Sequence, residues 1–162
     1  MKTKKRFLTR WAPVLMFALF GALVFSSCDK SNDSTTNNTP YTISGDASGS
    51  QVVPAVSGTG TATITGTYDP TTRMMKYTTN WSNLTGVPTS GVFYTGDAGT
   101  AGTALGAPWE FDSTMTGTGN MSDSITLTTD QATQLTKGNI YYLLGTAANT
   151  GGEVRGQITA TR

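Results

Sequence analysis

The sequence predicts an all-β domain, an antiparallel β-sandwich with one short helix, over residues 41–162. Three observations point there. Threonine and glycine dominate this stretch, its apolar residues come in short runs, and no 3.6-residue period is sustained. Strict alternation runs through residues 60–81 and is broken once by a turn. Further short segments recur at intervals that suit two packed antiparallel sheets. A chain of this length makes one domain that buries roughly 65% of its unfolded surface.

Taken in order, Tyr41–Asp46 is the first candidate strand. Gly60–Tyr68 places Ala62 and Ile64 on one face and Thr61, Thr63 and Thr65 on the other. Tyr68–Arg73 supplies turn chemistry, with Pro70 presetting φ. In the strand that follows, Met75, Tyr77, Thr79 and Trp81 share a face opposite Met74, Lys76, Thr78 and Asn80, which completes a hairpin. Gly91–Thr95, Trp109–Thr116, Gly119–Leu127, Ile140–Leu144 and Glu153–Thr161 are the remaining strands. Gly96–Gly106 has too little apolar content for a core strand and is expected to be a long exposed loop. Thr129–Gly138 departs from the pattern: Thr129 can cap, Asp130 suits a positive helix start, Lys137 a negative end and Gly138 a left-handed C′ position. One short helix near residues 130–137 follows.

The N-terminus carries an address. Lys2, Lys4, Lys5, Arg6 and Arg10 precede an apolar run from Trp11 to Phe25, and no acid occurs before Asp29. Such a run falls short of the roughly 20 residues of a spanning helix and suits a signal-peptide core. It ends in Ser26-Ser27-Cys28, which resembles a bacterial lipobox; the resemblance implies cleavage before Cys28 and lipidation of its sulfur. An ordinary secretory signal, or an uncleaved anchor with Cys28 incidental, is the weaker alternative. Residues 28–40 are rich in Ser, Thr and Asn and read as a flexible tether. Asp29 and Asp33 resemble the export signals of surface lipoproteins in the Bacteroidetes. The expected location is the cell envelope, as an outer-membrane lipoprotein exposed at the surface, with the membrane as a partner through the lipid. Residues 28–162 hold 6 basic and 10 acidic groups. That balance leaves no electrostatic footprint for nucleic acid.

Composition also excludes chemistry. The chain has no histidine and one cysteine. Without an imidazole there is no Ser-His-Asp triad, no His-assisted thiolate and no histidine metal site, and a lone Cys gives neither an intrachain disulfide nor a CxxC zinc site. The sequence assigns no catalytic residue, no metal site and no cofactor.

Three segments together resemble the chordin-type (CHRD) domain. Gly49-Ser50-Gln51-Val52-Val53-Pro54-Ala55-Val56 is similar to the family's G-x-Q-E-V-P-P-V element. Met75–Leu84 followed by Gly91–Gly96 is similar to a Tyr-containing strand and the strand that usually reads A-H-I-H. Leu135–Tyr142 and Gly152-Glu153-Val154-Arg155-Gly156-Gln157-Ile158 resemble the L-x-x-G-x-x-Y and G-E-I-R-G-Q-I elements. The resemblance implies an immunoglobulin-like sandwich in an extracellular setting. Phe93 and Thr95, or Val92 and Tyr94 in the other register, stand where the A-H-I-H histidines are usual, and Gly145 stands near a further one.

Glu153, Arg155 and Gln157, spaced at i, i+2 and i+4, project from one face of the last strand. They form a polar stripe that either binds a partner or is structural, with Glu153 and Arg155 pairing with each other or across strands and Gln51 bonding a strand edge; the structural reading is favoured. Asp97, Glu110 and Asp112 are the one local gathering of acids. They could serve glycan hydrolysis, or hold calcium with loop carbonyls, and are explained equally well as solvated polar residues. Trp81, Trp109 and Tyr94 would stack sugars if exposed and are otherwise core. The leading function is a lipid-anchored, non-enzymatic envelope module that binds a surface protein or glycan or acts structurally. The alternative is a glycan hydrolase using Asp97, Glu110 and Asp112.

Overall fold

The computed structural model describes residues 38–162. The predicted signal segment, Cys28 and most of the predicted tether lie outside the described residues. The elements run β1 (Tyr41–Ser48), β2 (Thr61–Asp69), β3 (Met74–Ser82), β4 (Pro88–Thr95), β5 (Thr103–Leu105), β6 (Gly119–Thr126), α1 (Thr129–Thr136), β7 (Ile140–Thr146) and β8 (Val154–Thr161), with a single 3-10 turn at Gly49–Gln51. The class is all-β and antiparallel with one short helix, as the alternation and capping signals predict.

The strands form one hydrogen-bonded sheet in the order β5-β4-β7-β8-β1-β2-β3-β6. The two expected sheets are therefore two halves of a continuous ladder that curls on itself. Tyr77 of β3 and Phe93 of β4 stand five places apart in that order, yet their rings meet edge-on at 4.9 Å. At the rim, a Cβ added to Gly106 would lie 2.7 Å from Ile125 of the opposite edge strand. The bend falls at β8 and β1. There the register pairs Thr42–Ser44 with Thr159–Thr161 and next Ser48 with Arg155. Between those pairs the Gly45 carbonyl accepts from the Tyr142 hydroxyl inside (3.1 Å), and the Asp46 carbonyl from Gln51 Nε2 (2.9 Å).

Alternation fixes what faces inward. Ile43, Ile64, Met75, Tyr142, Leu144, Val154 and Ile158 are fully buried, and Phe93 and Trp81 nearly so. The predicted hairpin of β2 and β3 forms, with Thr61 opposite Ser82 through Asp69 opposite Met74. Asp69 caps its turn by accepting from the Thr71 N–H at 2.8 Å. Helix α1 is capped by Thr128, one residue before the expected cap Thr129. Thr128 accepts from the Gln131 N–H while the Gln131 side chain accepts from the Thr128 N–H, a reciprocal capping box. Gly138 closes the helix at φ +77°, the left-handed conformation that favours glycine.

Two expectations are corrected. Trp109–Thr116 is no strand: its alternation is real, since Trp109 is buried, Phe111 and Met115 are half-buried and Glu110, Asp112 and Thr114 are exposed, but its backbone runs irregularly. Two bonds tie it to the sheet: the Trp109 N–H donates to the Gly91 carbonyl at 2.8 Å, and Trp81 Nε1 to the Thr116 carbonyl at 2.9 Å. Trp109 then packs on Phe93 (5.0 Å), Tyr77 (5.4 Å) and Tyr142 (6.2 Å), plugging the mouth of the curled sheet. Gly91 permits this, because a Cβ there would sit 2.5 Å from the indole. Gly96–Gly106 is not wholly an exposed loop. It contains β5, which pairs with β4 and buries Leu105 opposite Phe93.

Because Trp109 fills that mouth from a segment with little backbone support, Trp109→Ala is expected to cost about 3–5 kcal/mol. Urea unfolding followed by the remaining aromatic signal checks it; a loss under about 1 kcal/mol would mean the mouth closes without the indole.

Candidate functional site

The polar stripe of the last strand lies where the sheet bends. Val154, Gly156 and Ile158 turn inward, while Arg155 and Gln157 lie on the outer face and Glu153 stands at the strand's entrance. Glu153 and Arg155 are 2% and 3% exposed, and they are the buried charged residues among the described ones. They do not pair with each other.

Glu153 is enclosed by neutral donors from two loops. Its Oε1 accepts from the Thr85 N–H at 2.7 Å; its Oε2 accepts from the Thr85 and Thr146 hydroxyls, both at 2.6 Å, and from Asn149 Nδ2 at 3.3 Å. Gly60 leaves room on another side, since a Cβ there would approach Oε1 to 3.0 Å. Burial alone would raise this carboxyl; the hydrogen bonds from Thr146, Thr85 and Asn149 outweigh it and hold Glu153 below the ordinary value. The carboxylate thus joins the β3–β4 loop, the β7–β8 loop and the approach to β2.

Arg155 does the same for another loop. Its Nη1 donates to the Thr100 carbonyl and its Nη2 to the Asp97 carbonyl, each at 2.7 Å, and its guanidinium lies 3.7 Å over the Tyr141 ring. Gln157 Nε2 donates to the Gly96 carbonyl at 2.9 Å and the Gly138 carbonyl at 2.7 Å. The Tyr141 hydroxyl accepts from the Gly102 N–H at 3.0 Å. Three side chains of the outer face thereby fold residues 96–102 back across β7 and β8. Gln51, the fourth residue of the stripe, bonds the Asp46 carbonyl of β1.

The acids are dispersed in role. Asp97 is exposed and is engaged through its carbonyl. Asp112 accepts from the Thr114 N–H at 2.8 Å, and that bond holds it below the ordinary carboxylate value. Glu110 is exposed. Among the described residues no three Asp, Glu, Cys or His side chains group as metal ligands. Trp81 and Trp109 are core, at 2% and 6% exposed, so the expected sugar platform reduces to Tyr94, half-buried and stacked on Tyr141 at 5.1 Å. Sequence reasoning missed Thr85, Thr146, Asn149 and Tyr141. The three polar residues carry no local signal in a chain this rich in threonine, whereas Tyr141 was legible as the outward position beside Tyr142 in β7.

Such an arrangement defines a small antiparallel domain whose loops are clamped by the polar side chains of its final strand. The chain belongs to the CHRD domain family, whose pattern matches residues 43–158. Among curated proteins and solved structures nothing matches it.

Two predictions follow from the separate partners. Arg155→Ala leaves the Asp97 and Thr100 carbonyls without charged donors, bonds that each contribute about 1.5–3 kcal/mol. Hydrogen exchange is expected to accelerate in residues 96–102 and not in residues 83–87, while Glu153→Ala has the opposite pattern; the double variant should be close to additive. Strong coupling would show that the two charges do interact.

The second concerns pH. Glu153 is depressed in the folded state, so its contribution is full above the unfolded value of about 4.3 and is lost as pH falls through the folded value. Asp69 and Asp112 are depressed too, by hydrogen bonds from Thr71 and Thr114, and act in the same direction. Glu153→Gln keeps the shape and removes the charge. Its unfolding midpoint is expected to fall less steeply between pH 5 and 3 than that of the unaltered chain, and equal slopes would remove Glu153 from the acid response.

Proposed function

We propose that this CHRD-domain chain is a lipid-anchored, non-enzymatic module displayed at the cell envelope, as an outer-membrane lipoprotein facing outward. What carries the non-enzymatic part is the state of its carboxylates. Asp112 is hydrogen-bonded and held low, the wrong direction for a general acid at neutral pH, and among the described residues Asp97, Glu110 and Asp112 do not come together as a group of three. The stripe of Gln51, Glu153, Arg155 and Gln157 is structural in this reading: it fixes loops that present a binding surface. Anchoring rests on the basic N-terminus, the short apolar run and Ser26-Ser27-Cys28.

Expression with a labelled fatty acid tests the anchor. Label is expected on the intact chain and absent from Cys28→Ala, which should leave the membrane fraction; an unlabelled, unmodified Cys28 thiol overturns it. Capture of envelope proteins and glycans by the anchored chain tests display for binding. Cleavage of a captured glycan that is lost in Glu110→Gln or Asp112→Asn would replace the module reading by hydrolysis.

A further inference from the structure

The outer face of the sheet has two characters. Over β1, β2, β3 and β6 it is an open field made mostly of hydroxyl and amide side chains, with Asp46 and Lys76 among them and Thr65, Thr78 and Ser122 in one cross-strand rank. Over β7 and β8 it is partly covered, by residues 96–102 from one side and the 49–53 turn from the other. Between these two covers lies a crevice with two lobes. Tyr94, Tyr141 and Gly151 line one of about 200 Å³; Gln51, Gln157 and Gly99 line the other of about 250 Å³; Val52, Val53 and Arg155 border both.

Charge decides the class of ligand. Arg155 is the one charged residue lining either lobe; two of its N–H groups donate to the Thr100 and Asp97 carbonyls and its ring face lies on Tyr141. A cation entering here would lose hydration and meet a like charge, and an anion would have to compete with those carbonyls for the guanidinium. Shape and polarity narrow the choice further. Arg155, Tyr141 and Tyr94 stack in series, which fixes the Tyr94 ring beside the smaller lobe, and Val53 is 45% exposed at the border. In the larger lobe the side chains of Gln51 and Gln157 both line the wall, held by bonds from their Nε2 groups to the Asp46, Gly96 and Gly138 carbonyls. At Gly99 and Gly151 a Cβ would meet open space, so a ligand can approach the backbone. A purely apolar ligand would strand the amides, and an extended peptide finds no free edge to pair with, because β7 and β8 are interior strands.

A pyranose combines an apolar C–H face with a rim of neutral hydroxyls. We propose that this crevice binds an uncharged saccharide, one ring against Tyr94 and the next toward Gln51 and Gln157. The proposal rests on the binding half of the module reading and names its ligand class. The full chain, purified in detergent, is titrated by calorimetry with cellohexaose, mannohexaose and chitohexaose, and separately with polygalacturonate and decaproline. At least one neutral hexasaccharide is expected to bind. Tyr94→Ala and Gly151→Trp should each weaken it about tenfold or more, and Tyr94→Phe should retain it. Gly151→Trp fills the smaller lobe from a position with open space around it, so the test survives if Tyr94→Ala unsettles the stack. The proposal fails if no hexasaccharide binds at millimolar concentration, if binding ignores both variants, or if only polygalacturonate or decaproline binds. Acylation of Cys28, read in the same preparations, reports on the anchor independently of any of these outcomes.

Discussion

A buried charge must be met by hydrogen bonds, and here both buried charges of the last strand are met by loop groups instead of by each other. Taking a carboxylate or a guanidinium out of water costs several kcal/mol after relaxation. Glu153 recovers this through two hydroxyls, an amide and a backbone N–H, and Arg155 through two carbonyls and the face of Tyr141. Since those partners belong to segments far apart in sequence, each charge is satisfied only when its loops are in place. Loop placement and β8 therefore stabilise each other. A salt bridge between the two residues would have left the loops free.

The β8–β1 ladder is interrupted around Gly45 and Gly156, between the Ser44–Thr159 and Ser48–Arg155 pairs. The carbonyls released there are taken by Tyr142 from the core side and Gln51 from the outside. Both edges of the sheet are then managed. β5 is three residues long, and on β6 the inward-facing Asp123 carboxylate accepts from the Ser124 N–H at 2.7 Å, placing a charge on the face a pairing strand would have to bury.

Legibility in the sequence tracked how local each feature is. The β2–β3 hairpin, the C′ glycine and the inward set of β8 depend on neighbours within a few residues, and the alternation and turn residues disclose them. Thr128 was harder, because Thr128 and Thr129 are both capping types; Gln131 three residues after Thr128 is the signal that separates them. Trp109–Thr116 shows the other limit. Period-two alternation reports which side chains are buried, and a plug lying across a sheet alternates as a strand does. Leu105 makes β5 a strand with one buried residue, too little for any pattern to register. Thr146 and Asn149 lie within seven positions of Glu153, but its partner Thr85 and the Arg155 partners Asp97 and Thr100 lie 55 or more positions away, beyond anything spacing conveys.

The same geometry separates the two registers in which β4 can be compared with the A-H-I-H strand that it resembles. Phe93 is 1% exposed and packs against Tyr77 and Trp109, so the inward register belongs to the core. Val92 and Tyr94 are the outward pair, and β7 sets Leu143 and Tyr141 opposite them. An imidazole at position 94 would border the crevice and change its charge between about pH 5 and 8. Tyr94 places a flat apolar ring there instead. In this chain that wall is aromatic, and the guanidinium beneath it is held by loop carbonyls.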